Sequence, residues 1–209
     1  QAPEKLPDVA PFLKENKVAI VIGISDYPVE SGFPKLQFAA KDAQDLAAAL
    51  EKQGYQVQLL TDQHAMKSSL RRALEQAQLT LSQSRTDSSD GGTILFAFSG
   101  HGGETAASGG NPKQYLVTYD ATSDDPDPGF PLKDVTDALE KSGATHRMMF
   151  IDACRDETGS ASKGAPVLSS FRHLMEAQMG RRAAARYAAF GAISASSTWL
   201  AGAPGSGSS

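Results

Sequence analysis

The chain has 209 residues, 40% of them hydrophobic and 21% charged, and a net charge of −4. That length suits one domain, or one domain and a tail, with a proper core, and the composition is ordinary for a globular chain. The acidic balance without a long basic cluster argues against a nucleic-acid surface. No apolar run reaches membrane-spanning length, and a single cysteine excludes an internal disulfide and any multi-thiolate zinc site.

Residues 1–16 carry three prolines and mixed charge, which predicts an extended N-terminal arm. The chain starts at Gln1 rather than at a methionine. A periplasmic or secreted location follows if a signal peptide preceded it, and a cytoplasmic one otherwise. Val18 to Ile24 is a continuous apolar run, the pattern of a strand buried on both faces. Ser25 to Pro28 then mark a loop. From Phe38 to Lys52, Ala39, Ala43, Leu46, Ala47 and Leu50 recur at helical spacing, and Gly54 closes the helix. Tyr55 to Leu60 reads as a second strand, Thr61 to His64 as a polar loop, and Lys67 to Ser82 as a second helix through Leu70, Leu74, Ala77 and Leu81.

Arg85 to Gly92 is a polar turn before a third strand that begins at Thr93. Gly102 to Pro112 is rich in Gly, Ser and Ala, which predicts a mobile loop bordering a cleft. Gln114 to Tyr119 reads as a short hairpin arm, and Pro131 to Lys141 as a third helix closed by Gly143. A fourth strand leads to Cys154. Beyond it come a loop from Asp156 to Pro166, a short helix over 167–178, a basic stretch from Gly180 to Arg186, and a fifth strand from Ala188 to Ser194. The domain is placed at residues 17–200, followed by a Gly/Ser-rich tail over 201–209 that is expected to be disordered.

Two of these strands end in reactive residue types. Met148-Met149-Phe150-Ile151 runs into Asp152-Ala153-Cys154-Arg155, and Ile94-Leu95-Phe96-Ala97-Phe98 into Ser99-Gly100-His101-Gly102-Gly103. Ligands of open α/β sheets bind outside the carboxyl ends of the strands. In a parallel sheet both ends share one edge, so His101 and Cys154 can meet there. Strand alternation puts Asp152 and Cys154 on one side and Ala153 on the other. The thiolate is the nucleophilic form of cysteine, and an imidazole partner supplies it at neutral pH. Gly102 has no side chain, so its N–H can approach a substrate carbonyl and, with the N–H of Cys154, form a two-donor oxyanion hole. The plainer alternatives are a small buried cysteine and a turn histidine without a role.

These stretches resemble the caspase-like cysteine peptidases, and more closely their metacaspase and paracaspase branch. That family shows an apolar strand ending Ser-x-His-Gly and a later one ending Asp-x-Cys. Lys17 to Ile24 followed by Asp26–Tyr27 is similar to its opening strand, and Leu36 to Asp42 to the entry of its first helix. The resemblance spans roughly residues 17–200. It implies a three-layer α/β/α sandwich on a mostly parallel sheet, and a His101–Cys154 dyad cleaving peptide bonds. It also implies a specificity pocket, with Asp152, Asp42 and Ser99 matching the positions that line it. Two carboxylates near the strand ends would make an acidic pocket for Arg or Lys, so the expected partners are proteins or peptides with a basic residue before the scissile bond. The structural alternative is a helix-start acid at Asp42 and a strand-end cap at Asp152.

Several metacaspases depend on Ca²⁺, and the stretch from Asp120 to Asp127 holds four acids. An EF-hand counted from Asp124 fails, because Pro126 and Pro128 fall on ligand positions and Val135 stands where the bidentate glutamate belongs. No metal and no cofactor are assigned. The resemblance also implies a sixth strand and a further helix, which are not visible in the sequence, so the domain reads as truncated or continued on another chain. Arg181, Arg182 and Arg186 lie where family members carry a processed linker, and they are the candidate self-processing sites. The competing function is a catalytically silent interaction module of the same fold. A nucleotide- or flavin-binding domain lacks its glycine-rich turn, and a serine hydrolase lacks Gly-x-Ser-x-Gly.

Overall fold

The computed structural model describes residues 15–83, 91–104, 113–125, 129–155 and 187–191, with 154–155 and 187–191 as backbone alone. The elements run β1 (Lys17–Gly23), α1 (Ala39–Lys52), β2 (Tyr55–Thr61), α2 (Lys67–Gln83) and β3 (Thr93–Glu104). They continue with β4 (Gln114–Leu116), β5 (Phe130–Pro131), α3 (Leu132–Lys141), β6 (His146–Arg155) and β7 (Tyr187–Gly191). β2, β1, β3, β6 and β7 pair in parallel, and β4 and β5 add an antiparallel arm. This is the expected α/β sandwich with a mostly parallel sheet.

All seven residues of β1 are buried, because a strand covered on both faces needs apolar side chains at odd and even positions alike. Val18, Ile20 and Ile22 join Ile94, Phe96, Phe98, Met149 and Ile151 in a core closed by Leu70, Leu74 and Leu81 of α2 and Leu132, Val135 and Leu139 of α3. Ala19, Val21, Leu95 and Ala97 face the other way, onto Ala43 and Ala47 of α1. Small residues on both sides of that second core bring α1 close to the sheet. At Gly23 the approach leaves no room for a side chain, because a Cβ would lie 2.3 Å from the Ala39 carbonyl oxygen and 2.5 Å from the Ala43 Cβ.

The start of α1 is held from outside the helix. Its N-cap residue is Phe38, which has no capping side chain, and the Ala40 N–H instead donates to Ser25 Oγ at 2.9 Å. Asp120 does the same for α2, accepting the Lys67 N–H at 2.9 Å.

Gly23, Ser99 and Asp152 stand in one register row across β1, β3 and β6. There β1 stops, while β3 and β6 run on, and β4 takes the place beside β3 that β1 vacates. His101 and Cys154 therefore lie within strands, not just past their ends as the glycines around them predict. β4 holds Gly102 and Gly103 extended and β6 pairs with Gly102 from the other side, so β3 continues to Glu104 where a loop was expected from Gly102. β5 is two residues long, too short for any alternation to show, and Asp62–His64 forms a 3-10 turn where only a polar loop was expected.

Glu15 and Asn16, just before β1, meet the opposite end of the sheet. Asn16 accepts the Thr93 N–H at 2.8 Å, and the Glu15 carboxylate bonds the Thr93 hydroxyl and lies 3.2 Å from His146 Nδ1. Arm residues 1–14, the turn at 84–90, most of the glycine-rich loop, the helix expected over 167–178, Arg181, Arg182, Arg186 and the tail lie outside the described residues. Among the described residues, no helix is long and apolar enough to cross a membrane.

Candidate active site

Where β3 and β6 outrun β1, His101 is the register partner of Cys154, and Gly102 of Arg155. The loop between β1 and α1 folds back over this projection and encloses the imidazole. His101 is 1% exposed. Its ring lies 5.7 Å from that of Phe33, nearly parallel to it, and 4.8 Å from that of Tyr27.

The Nε2–H of His101 donates to the Pro34 carbonyl oxygen at 2.7 Å. A carbonyl only accepts, so this bond assigns the proton of the neutral ring to Nε2 and makes Nδ1 its basic nitrogen. The loop that delivers Pro34 is tied down at several points. Asp62 Oδ1 accepts the N–H groups of Ser25 and Asp26 at 2.8 and 2.9 Å, the Ser25 carbonyl accepts the Leu36 N–H at 2.9 Å, and Lys35 pairs with Asp26. Ser123 donates its N–H to the Ser31 carbonyl at 2.8 Å. Asp62 holds its two bonds from a left-handed conformation, with φ of 44°, which aspartate tolerates better than most residues.

The Val117 N–H donates to the His101 carbonyl at 2.9 Å. In an antiparallel ladder such pairs alternate, so the N–H of Gly102 turns away from β4 and towards β6. A Cβ on Gly102 would lie 2.9 Å from the Ala153 Cβ, so only glycine lets β3 and β6 approach this closely here.

Beside this pair, Asp42, Ser99 and Asp152 line one cavity of about 240 Å³. Its walls are apolar, from Val21, Ala43, Leu46, Ala97 and Phe150. Asp42 comes from the first turn of α1, Ser99 from β3 and Asp152 from β6, and the tight seat of α1 on Gly23 brings the helix to the strands. Partial burial of the Asp152 carboxyl, and then the charge of Asp42, push its pKa above the ordinary carboxylate value. The cavity thus combines apolar walls from the sheet and α1 with two carboxylates, Asp42 and Asp152.

The structure thus brings together Asp42, Ser99 and Asp152 in one cavity, and His101, Gly102 and Cys154 on two adjacent strands. The sequence reading missed Pro34, Phe33, Asp62 and the part played by Tyr27. A backbone carbonyl has no residue-type signature, and Asp26–Tyr27 stood out only as the tail of the opening strand. Asp120 is engaged as the cap of α2, and among the described residues no three His, Cys, Asp or Glu side chains come together to hold a metal.

A family model described as the caspase domain matches residues 16–199, well over half of the chain. No curated protein sequence matches it. Among solved structures, protein GSU0716 from Geobacter sulfurreducens superposes with a TM-score of 0.52 at 18% identity, which concerns the fold alone. The aligned part covers 76% of this chain and 55% of that one, so the chain spans little more than half of that protein.

Proposed function

The chain belongs to the caspase-domain family of cysteine peptidases, and from that premise we propose that it is an endopeptidase that cuts after Arg or Lys with a His101–Cys154 dyad. The observation that carries the reading is the register of His101 opposite Cys154 beside a cavity with Asp42, Ser99 and Asp152 at its polar end.

In the proposed reaction the substrate's basic side chain enters that cavity. Its methylenes lie along Val21, Leu46 and Phe150, and its head pairs with the two carboxylates. His101 takes the thiol proton of Cys154, and the thiolate adds to the scissile carbonyl carbon. The proposed donors to the oxyanion are the N–H groups of Gly102 and Cys154, which the substrate must draw from the β3–β6 pairing there. As the C–N bond breaks, His101 returns the proton to the departing amine and a thioester remains. Water then attacks the thioester, giving one proton to His101. The C–S bond breaks, the carboxylic acid leaves, and the proton on His101 restores the thiol. The carbonyl of Pro34 keeps the imidazole in one orientation throughout.

The same specificity makes the chain a substrate for itself. Arg181 and Arg182 follow Gly180 and precede small alanines, and Arg186 comes next before Tyr187. A segment tethered near Cys154 meets the site at a far higher effective concentration than a free peptide does. Turnover of fluorogenic peptides ending in Arg, Lys or Asp, with and without Ca²⁺, tests the proposal. Cleavage after Arg and Lys is expected, independent of Ca²⁺. Cleavage after Asp with Arg ignored would refute the pocket assignment.

A further inference from the structure

Tyr27 is 2% exposed, and its hydroxyl sits inside a sheet ladder. Gly102 faces Leu116 and Gly103 faces Tyr115 in the β3–β4 pairing, so the next pair is His101 with Val117. A regular antiparallel ladder would exchange two N–H···O bonds at that pair. Only one is direct, from the Val117 N–H to the His101 carbonyl. In place of the other, the His101 N–H donates to Tyr27 Oη at 3.0 Å, and that hydroxyl donates to the Val117 carbonyl at 3.1 Å. The hydroxyl is a wedge one oxygen wide between the two strands. β4 ends at Leu116, one residue before it. A Cβ on Gly100 would lie 2.8 Å from the same hydroxyl, so a side chain there would crowd it.

We propose that Tyr27 is a positioning residue for His101: its hydroxyl wedge and ring set where the imidazole stands relative to Cys154. Pro34 fixes the ring through Nε2 and Phe33 through stacking, whereas Tyr27 bonds the backbone N–H of the residue from which the ring hangs. Without the hydroxyl, nothing separates the His101 N–H from the Val117 carbonyl. The ladder then closes and draws His101 towards β4, away from β6. This inference rests on the proposed dyad, and its test keeps the two apart.

The chain has one cysteine, so alkylation by iodoacetamide followed by intact mass reports on Cys154 without any peptide substrate. Alkylation rate against pH would be compared for the unaltered chain, Tyr27→Phe and His101→Ala, alongside kcat and KM on an Arg peptide. A dyad predicts a thiolate midpoint below that of a free thiol, about 8.5, and its return towards that value in His101→Ala. Tyr27→Phe should move the midpoint upward and lower kcat by about ten- to a hundredfold with little change in KM, as a misplacement near 1 Å does. A merely structural role would lower thermal stability and leave the midpoint in place. A native midpoint and kcat in Tyr27→Phe overturn the proposal. An unaltered chain that titrates like His101→Ala refutes the dyad, and this inference falls with it. Should Tyr27→Phe fail to fold, Gly100→Ala presses on the same hydroxyl from β3. It should raise the midpoint likewise, and an unchanged one overturns the proposal.

Discussion

The side chain of His101 is held by the backbone of Pro34, through a 2.7 Å bond from Nε2–H to the carbonyl. The imidazole on β3 is thereby oriented by a loop that follows β1, and that loop depends on Asp62 at the end of β2. Asp62 accepts two backbone N–H groups, at Ser25 and Asp26. Asp62→Ala should lower stability by about 1–2 kcal/mol, since the two donors lose a charged acceptor at a partly exposed site. It should also lower kcat on Arg peptides, with Asp62→Asn intermediate in both. Urea unfolding and steady-state kinetics on the same preparations check this, and a fully active Asp62→Ala would show that the loop needs no such anchor.

Gly23 has no room for a side chain beneath α1, where a Cβ would meet the Ala39 carbonyl oxygen at 2.3 Å. Gly23→Ala should cost about 1–3 kcal/mol by forcing the helix outward. Because Asp42 rides on that helix, KM for Arg peptides should rise with it. A stable variant with native KM would mean that α1 does not depend on this contact for its place.

Asp42 and Asp152 should each contribute to Arg recognition. Replacing either by Ala should raise KM and lower kcat/KM by about ten- to a hundredfold, the effect of losing a charge-assisted hydrogen bond. Peptides with Lys should suffer less than those with Arg, because an ammonium has no planar fork to satisfy.

Burial first, and then the charge of Asp42, raise the pKa of Asp152 above its ordinary 3.8. Substrate binding needs this carboxylate ionised, so KM should climb as the pH falls through the raised value. Stability runs the other way. With the folded-state pKa above the unfolded one, the Asp152 contribution is full below 3.8 and is lost as the pH rises through the folded value. Asp42→Asn should move the KM limb to lower pH while leaving it above the normal aspartate range, since burial remains. KM measured across pH 4–8 in both proteins decides it, and a limb that does not move would exclude coupling between the two acids.

How far the sequence reaches can be seen at β3. Ile94 to Phe98 announces a buried strand, and the Ser99-Gly100-His101-Gly102 that follows announces chemistry. The strand's continuation to Glu104 is not legible, because glycines carry no extended preference and it is β4 and β6 that hold them. Opposition of His101 and Cys154 follows from two parallel strands ending alike. The support around His101 does not follow, being made of a carbonyl at Pro34 and a hydroxyl bridge at Tyr27 whose partners are distant in the chain. Asp42 was legible only as a helix-start acid until resemblance placed it in a pocket. Its nearness to Asp152 depends on how closely alanines and Gly23 let α1 approach.

If the chain processes itself, incubation of the purified protein should yield fragments whose new N-termini follow Arg181, Arg182 or Arg186. They should be absent from Cys154→Ala, and mass spectrometry of the products reads both. A chain that stays whole while cutting Arg peptides would separate activity from self-processing.

In the proposed reaction His101 and Cys154 act as one unit. The most direct measurement is kcat/KM on an Arg peptide for Cys154→Ala, His101→Ala and the double variant, with far-UV circular dichroism to verify the fold. Members of one catalytic unit are not additive, so each single variant should lose activity about as completely as the double one. A folded Cys154→Ala or His101→Ala that still cleaves the peptide at a substantial rate would rule out the dyad.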